Sequence, residues 1–196
     1  VWIKCRSGTH GTENHNLYDS VRGATKFLIP NGTTVSTTDT NSLTAFNSDG
    51  FSLGTRTDVN GSGAYVGWQW KESATAGFDI VSFTGNSSDG ATTQDISHSL
   101  SAVPHWIIVK NGADSTNWAV YHKANTSSPE TEVIYLNLTN ATADDNAFFG
   151  DTAPTSSQFR VGGDNSVNGN SDSMIAYLWS EKQGFSKFGS FTGNGN

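Results

Sequence analysis

Acids, histidines and indoles are the residues through which this chain could do chemistry. Glu72 and Glu181 are the acids at matched places in two similar stretches, "WQWKE" and "YLWSE". Glycoside hydrolysis needs two carboxyl groups facing each other across the scissile bond. These two follow aromatic strands, and a solvent-facing strand end accounts for both. His10 and His15 flank "GTEN". A zinc site needs further ligands at fixed spacing, and none accompanies them. "DNSVNGNSD" at 164–172 is rich in oxygen donors, and Asp164, Ser166, Asn168 and Gly169 fit part of a calcium loop. Ile175 stands where such a loop needs its bidentate acid, so a polar hairpin turn is the simpler reading. No Gly-x-Ser-x-Gly elbow and no recurring Ser/His/Asp set is present. Cys5, the single cysteine, lies in the strand-like run "VWIKC" and reads as a packed small residue. No catalytic residue, metal or cofactor is expected, and the chain reads as a non-enzyme.

Indoles offer a different chemistry. Trp2, Trp106 and Trp118 fall off the best core pattern, and a flat apolar ring can stack on a sugar. The competing reading is that they pack between sheets, because Trp is highly buried on average.

The elements that must position these residues follow from composition and pattern. The 196 residues are 15% charged with a net charge of −7, and their eleven Lys and Arg are scattered. That leaves no basic footprint for nucleic acid. No apolar run is long enough to cross a membrane as a helix. No signal peptide is recognisable, and the chain reads as a piece of something longer. Abundant Gly, Ser, Thr and Asn suit short strands and polar turns rather than helices. Six Trp, eleven Phe and five Tyr argue against disorder. The Asn-x-Ser/Thr sequons at Asn31, Asn60, Asn86, Asn125, Asn137 and Asn140 follow from that composition.

A repeat organises the chain. "GFDIVSFTGN" at 77–86 returns as "GFSKFGSFTGN" at 184–194. Lys4 then meets Lys110, Tyr18 meets Tyr121, Asn31 meets Asn137, Phe51 meets Phe159 and Trp70 meets Trp179. The offset stays between 103 and 109 throughout. Collinear matches of this kind mark two copies of one unit. Residues 1–76 read as a first unit incomplete at its start, 77–183 as a second unit, and 184–196 as the opening strand of a third. The first copy has no counterpart of "GFDIVSFTGN" or of "DISHSLSAVP" at 95–104.

Strand-length runs "VWIKC", "YVGWQW", "HWIIVK" and "MIAYLW" alternate their faces. Ile3 and Val109 fall on one face; Trp68, Trp70, Tyr177 and Trp179 share another that should face a core. Phe51, Phe83, Phe159 and Phe191 complete the expected repeat core. Asn-Gly pairs precede two of the strands and signal turns. The best helix candidate, "LYDSVRGATKFL", is broken by a central Gly. The fold class expected is all-β, tandem antiparallel β-sandwiches of jelly-roll or lectin-like type. Residues 184–194 should form a strand that extends the sheet of a unit beyond 77–183.

"VWIKCRSG…NLYDSVRGATKFL…SLTAFNSDGFSLG…NGSGAYVGWQWK" and "ISHSLSAVPHWIIVKN…PTSSQFRVG…GFSKFGSFTGNG" together resemble repeat proteins of bacteriophages, particularly those of marine bacteria. Cys5 stands where that pattern has Asn, and Trp106 where a Met-like residue is commoner. The resemblance implies a virion structural protein, tail-fibre-like, with lectin-like sandwich modules and no catalytic residues. It places the chain on the virion surface, self-associating or meeting other virion proteins through the ends of its repeats. A carbohydrate-binding or receptor-binding module touching a cell-surface glycan is the alternative function. A secreted glycan-degrading enzyme is the third.

Overall fold

The computed structural model describes residues 1–8 and 13–195, so His10 lies outside the described residues. The fold is an all-β sandwich built from antiparallel sheets, with only short helical turns.

Two stretches of chain run through matching elements. The first contains β1 (Trp2–Cys5), β2 (Asn16–Leu17), β3 (Lys26–Phe27), β4 (Thr37–Thr38), β5 (Leu43–Asn47), β6 (Gly50–Leu53), α1 (Thr57–Asn60) and β7 (Tyr65–Trp68). The second adds two strands at its start, β8 (Phe78–Thr84) and β9 (Gln94–Ser97). It continues with β10 (Trp106–Asn111), β11 (Ala119–His122), β12 (Glu132–Tyr135), β13 (Ala143–Asp144), α2 (Asn146–Phe149), β14 (Gln158–Val161), α3 (Asn165–Asn168) and β15 (Ser173–Trp179). The register repeats as well. Ile3 pairs with Gly67 and Lys4 with Val66; Val109 pairs with Ala176 and Lys110 with Ile175. Trp2 pairs with Leu17 as Ile108 does with Val120.

β-branched and aromatic runs make these strands because their side chains pack well on a pleated surface. At the Asn-Gly signals, α1 and α3 each make one helical turn ahead of the last strand of their stretch. Gly169 leaves room for its neighbours there: a Cβ would lie 2.4 Å from both Asn165 Oδ1 and Asp172 Oδ2, and those side chains would have to move. "LYDSVRGATKFL" forms β2, a turn and β3 instead of a helix.

Alternation along the strands sorts the apolar residues into layers. Ile107, Val109, Ala176 and Leu178 face Ile96, Phe159 and Val161 of the β9–β14 pair, with Phe83 packed against them. Ile3 faces Tyr18, Phe27, Leu43 and Val59, with Phe51 against that cluster. Between the two sheets, Ile108, Ile175, Tyr177, Phe78 and Ile80 meet Leu17 and Leu28, with Trp2, Trp106 and Trp179 at the margin. The two stretches therefore pack sheet against sheet.

The edges differ. The larger sheet runs β13-β12-β11-β10-β15-β8, and the smaller β2-β1-β7. Among the described residues, no strand lies beyond β7. Trp68 and Trp70 are accordingly 44% and 38% exposed and do not belong to a core, contrary to the strand pattern. The pattern gives the face but not whether anything covers it. Phe191 is also not a core residue: it is 94% exposed. Residues 184–194 form no strand. The chain turns through a Lys182–Ser186 bridge and continues without pairing to any sheet. A strand needs a neighbour to satisfy its backbone, and beyond that bridge residues 184–193 form no backbone pairing with a described strand.

Candidate site between the two sheets

Where β7 and β15 end, aromatic rings gather around a cavity of about 140 Å³. Trp179 stacks on Trp106 with centroids 4.4 Å apart, and Phe78 sits 4.9 Å from Trp179 on its strand neighbour. Trp70 closes edge-on at 5.9 Å. Trp2 and Trp118 line the same cavity. The pairing of Trp106, Trp179 and Phe78 across β10, β15 and β8 puts these three rings side by side. The indole N–H of Trp179 is buried and bonds to no described residue.

The three indoles that are candidates for stacking on sugar fare differently. Trp118 is fully buried, and its Nε1 donates to Ile29 O at 3.2 Å and Gly32 O at 3.0 Å. It is a bolt between the two stretches and presents no stacking face. Trp2 is half-buried, donates to His15 Nδ1 at 2.8 Å and lies edge-on to Trp68. Trp106 is half-buried between Trp179 and Phe188. The most open indoles are Trp68 and Trp70.

The polar groups at this cavity are held by the fold. Asp19 accepts from Arg22 N at 2.7 Å and Nε at 2.6 Å, and from Tyr177 O–H at 2.7 Å. Arg22 also donates to Ser36 Oγ and Leu17 O. Burial raises the Tyr177 phenol well above its ordinary range, so it stays a neutral donor. Buried charge is tolerated only when paired and hydrogen-bonded in this way. Both oxygens of Asp19 are hydrogen-bonded, and the carboxylate joins the two stretches. Glu72 accepts from Ser20 Oγ at 2.9 Å.

Glu181, the acid matched to Glu72, has a different partner. Its Oε1 pairs with Lys123 Nζ at 2.8 Å and accepts from Phe188 N at 3.0 Å. The Lys123 bond first and the Phe188 N–H second hold its carboxyl down at about 2. His105 Nδ1 accepts from Glu181 N at 2.8 Å. Residues 164–172 are equally occupied. Asp164 caps α3 through Ser166 N and Oγ, Asp172 accepts from Asn111 Nδ2 at 2.7 Å, and Asn165 donates to Asp114 at 2.7 Å. Among the described residues, no three His, Cys, Asp or Glu side chains gather as a metal site.

Motif and repeat do not single out Asp19 and Arg22. A signal for them is nonetheless present: an acid and a base three apart in "YDSVRG", in a chain with few charges, just after a tyrosine that recurs in the repeat.

No curated protein and no solved structure matches this chain. One family model covers it from residue 1 to residue 196, and the chain belongs to that family, described as a domain of unknown function (DUF7483).

Proposed function

We propose that this chain is a non-enzymatic structural part of a bacteriophage particle, two tandem β-sandwich units of a tail-fibre-like surface appendage. One observation carries the reading: the Asp19–Arg22–Tyr177 network and the layer around Ile108 and Leu17 seal the two units into one body. A rigid spacer needs that kind of joint, whereas separately mobile modules have smaller, more polar interfaces. The polar side chains around the cavity and in residues 164–172 are engaged in holding the fold, which fits a structural role. The acidic balance of the chain suits a surface exposed to solvent rather than nucleic acid. Quantitative mass spectrometry of gradient-purified phage particles tests the proposal. The chain is expected at a fixed copy number per particle; recovery only from host lysate, never from particles, overturns it.

A second reading, attachment to a cell-surface glycan, is favoured by the exposed indoles of Trp68 and Trp70 beside the aromatic cavity. Stacking on a sugar face needs such open rings. A glycan array separates the two readings: binding lost in Trp70→Ala supports attachment, and an empty array removes it.

A further inference from the structure

The cavity between the sheets is walled by aromatic rings. Trp70 and Trp179 line it with centroids 5.9 Å apart and ring planes 74° apart, so they meet as two walls of a corner. Phe78 joins that corner, 6.2 Å from Trp70 and 4.9 Å from Trp179. Tyr177 and Trp118, both fully buried, form the floor. The β8–β15 pairing holds Phe78, Tyr177 and Trp179 in register, and two backbone carbonyls hold Trp118. These walls are set by packing before anything enters.

The charge at the cavity is acidic. Asp19 and Glu72 are the charged side chains that line it, and no Lys, Arg or His among the described residues joins them. Arg22 meets the charge of Asp19 at 2.6 Å. Nothing meets that of Glu72. Its Oε2 accepts from the Ser20 hydroxyl at 2.9 Å, and its Oε1 has no partner among the described residues. The second stretch is different: there Glu181, at the matched place, pairs with Lys123 at 2.8 Å. Ser20, Trp70 and Glu72 are exposed, so the uncompensated carboxylate stands where the cavity meets solvent.

Rings and an unpaired acid together select a cation. The face of an aromatic ring attracts a positive charge within about 6 Å of its centroid. A metal ion or a primary ammonium is strongly hydrated and needs oxygen acceptors that apolar walls do not supply. A quaternary ammonium carries its charge under methyl groups and needs none. The volume of about 140 Å³ suits a small head group, since pockets for drug-sized ligands run to roughly 300–1,000 Å³. We propose that this cavity binds a small quaternary ammonium cation of the choline class, its methyl groups against Trp70, Phe78 and Trp179 and its charge balanced by Glu72. The site goes beyond the structural reading above and stands whether or not the chain belongs to a particle.

Ligand-observed NMR titration of the full chain tests it. The probes are tetramethylammonium, choline and the neutral alcohol in which carbon replaces the choline nitrogen, all at constant ionic strength. Saturable binding of both cations is expected, with choline about tenfold tighter than the neutral alcohol, the scale of a desolvated cation–π contact. Trp70→Ala should weaken choline about threefold or more. Trp68→Ala, at an open indole outside the cavity, should leave it unchanged. Glu72→Gln keeps the size of the side chain, so its loss of affinity reads charge alone. No saturable binding of either cation overturns the proposal. So does equal affinity for choline and the neutral alcohol, which would leave a plain apolar hole, or a Glu72→Gln chain that binds as the unmodified one does. Vesicles of phosphatidylcholine carry the same head group and tell its source. Pelleting with them that tetramethylammonium blocks assigns the site to a lipid surface; no pelleting, with choline bound, assigns it to a free cation.

Discussion

Residues 1–76 and 77–183 bond their shared strands in one register and reach opposite outcomes at one edge. Tyr177 is buried, while Trp68, at the matched place on β7, stands open. The sequence pattern is not the cause, because both strands alternate in the same phase. The difference is β8, which covers β15 and has no equivalent beside β7 among the described residues. The inner pairs show a second substitution. β14 pairs with β9, a strand from the start of its own stretch; β6, lacking such a strand, pairs with the adjacent β5 in a local hairpin. One repeat thus finishes its sheets with long-range partners and the other with what is nearest. Burial of matched residues should follow that difference.

The largest effect expected is at Phe51 and Phe159. Phe159 is buried between the β9–β14 pair and the large sheet, with Phe83 against it. Phe159→Ala should cost about 3–5 kcal/mol, the range for a buried aromatic truncated to leave a cavity. Phe51 is only half-buried, and Phe51→Ala should cost roughly half as much, since less apolar area is returned to water. Urea unfolding of the two variants measures both. Equal losses would mean that the missing strand does not weaken the first core.

A smaller effect is expected where the two stretches meet. Tyr177→Phe removes the hydroxyl that donates to Asp19 at 2.7 Å and leaves a buried carboxylate with one partner fewer. The loss should be about 1.5–3 kcal/mol, the scale for a buried hydrogen bond to a charged group. Trp68→Phe, at the matched place, should change stability by no more than about 0.5 kcal/mol, as exposed positions do. If the two substitutions cost the same, the Asp19–Arg22–Tyr177 network is not what joins the sheets.

Much of this contrast is legible in the sequence, and its limits are physical. The period and the matched residues come from residue types and spacing. Strand alternation places Ile3 and Val109 on the inner faces, where they are buried. It cannot show that Trp68 and Trp70 are uncovered, because alternation fixes a side chain's direction and not what lies in that direction. Trp118 escapes the pattern for the reverse reason. Its indole is buried by backbone carbonyls of Ile29 and Gly32, 89 and 86 residues away, and no local pattern encodes that contact. The candidate site is hardest to read. Asp19 and Arg22 form an ordinary i, i+3 pair until Tyr177, 158 residues from Asp19, closes over them.

The finest test concerns one of the two matched lysines. Lys4 donates to Glu13 O and is half-buried. Lys110 is fully buried, with its ammonium donating to Asn111 O at 2.6 Å, Asp114 O at 3.0 Å and Thr116 Oγ1 at 3.3 Å. Burial brings Lys110 down from 10.5 to about 8, outweighing the nearby Asp114 charge that favours the ammonium. Between those two values the unfolded chain keeps a proton that the folded chain has released. Stability from this group therefore rises with pH across that window. Tyr18 and Tyr121, pushed up to about 12 by burial, oppose the rise above pH 10, where unfolded tyrosines ionise and folded ones do not, so their stability contribution falls with pH. The usable window is pH 8 to pH 10. There the unmodified chain should gain about 2 kcal/mol relative to Lys110→Met. Urea midpoints at four pH values decide it. A slope that survives in Lys110→Met would mean that the proton of this lysine is not coupled to folding.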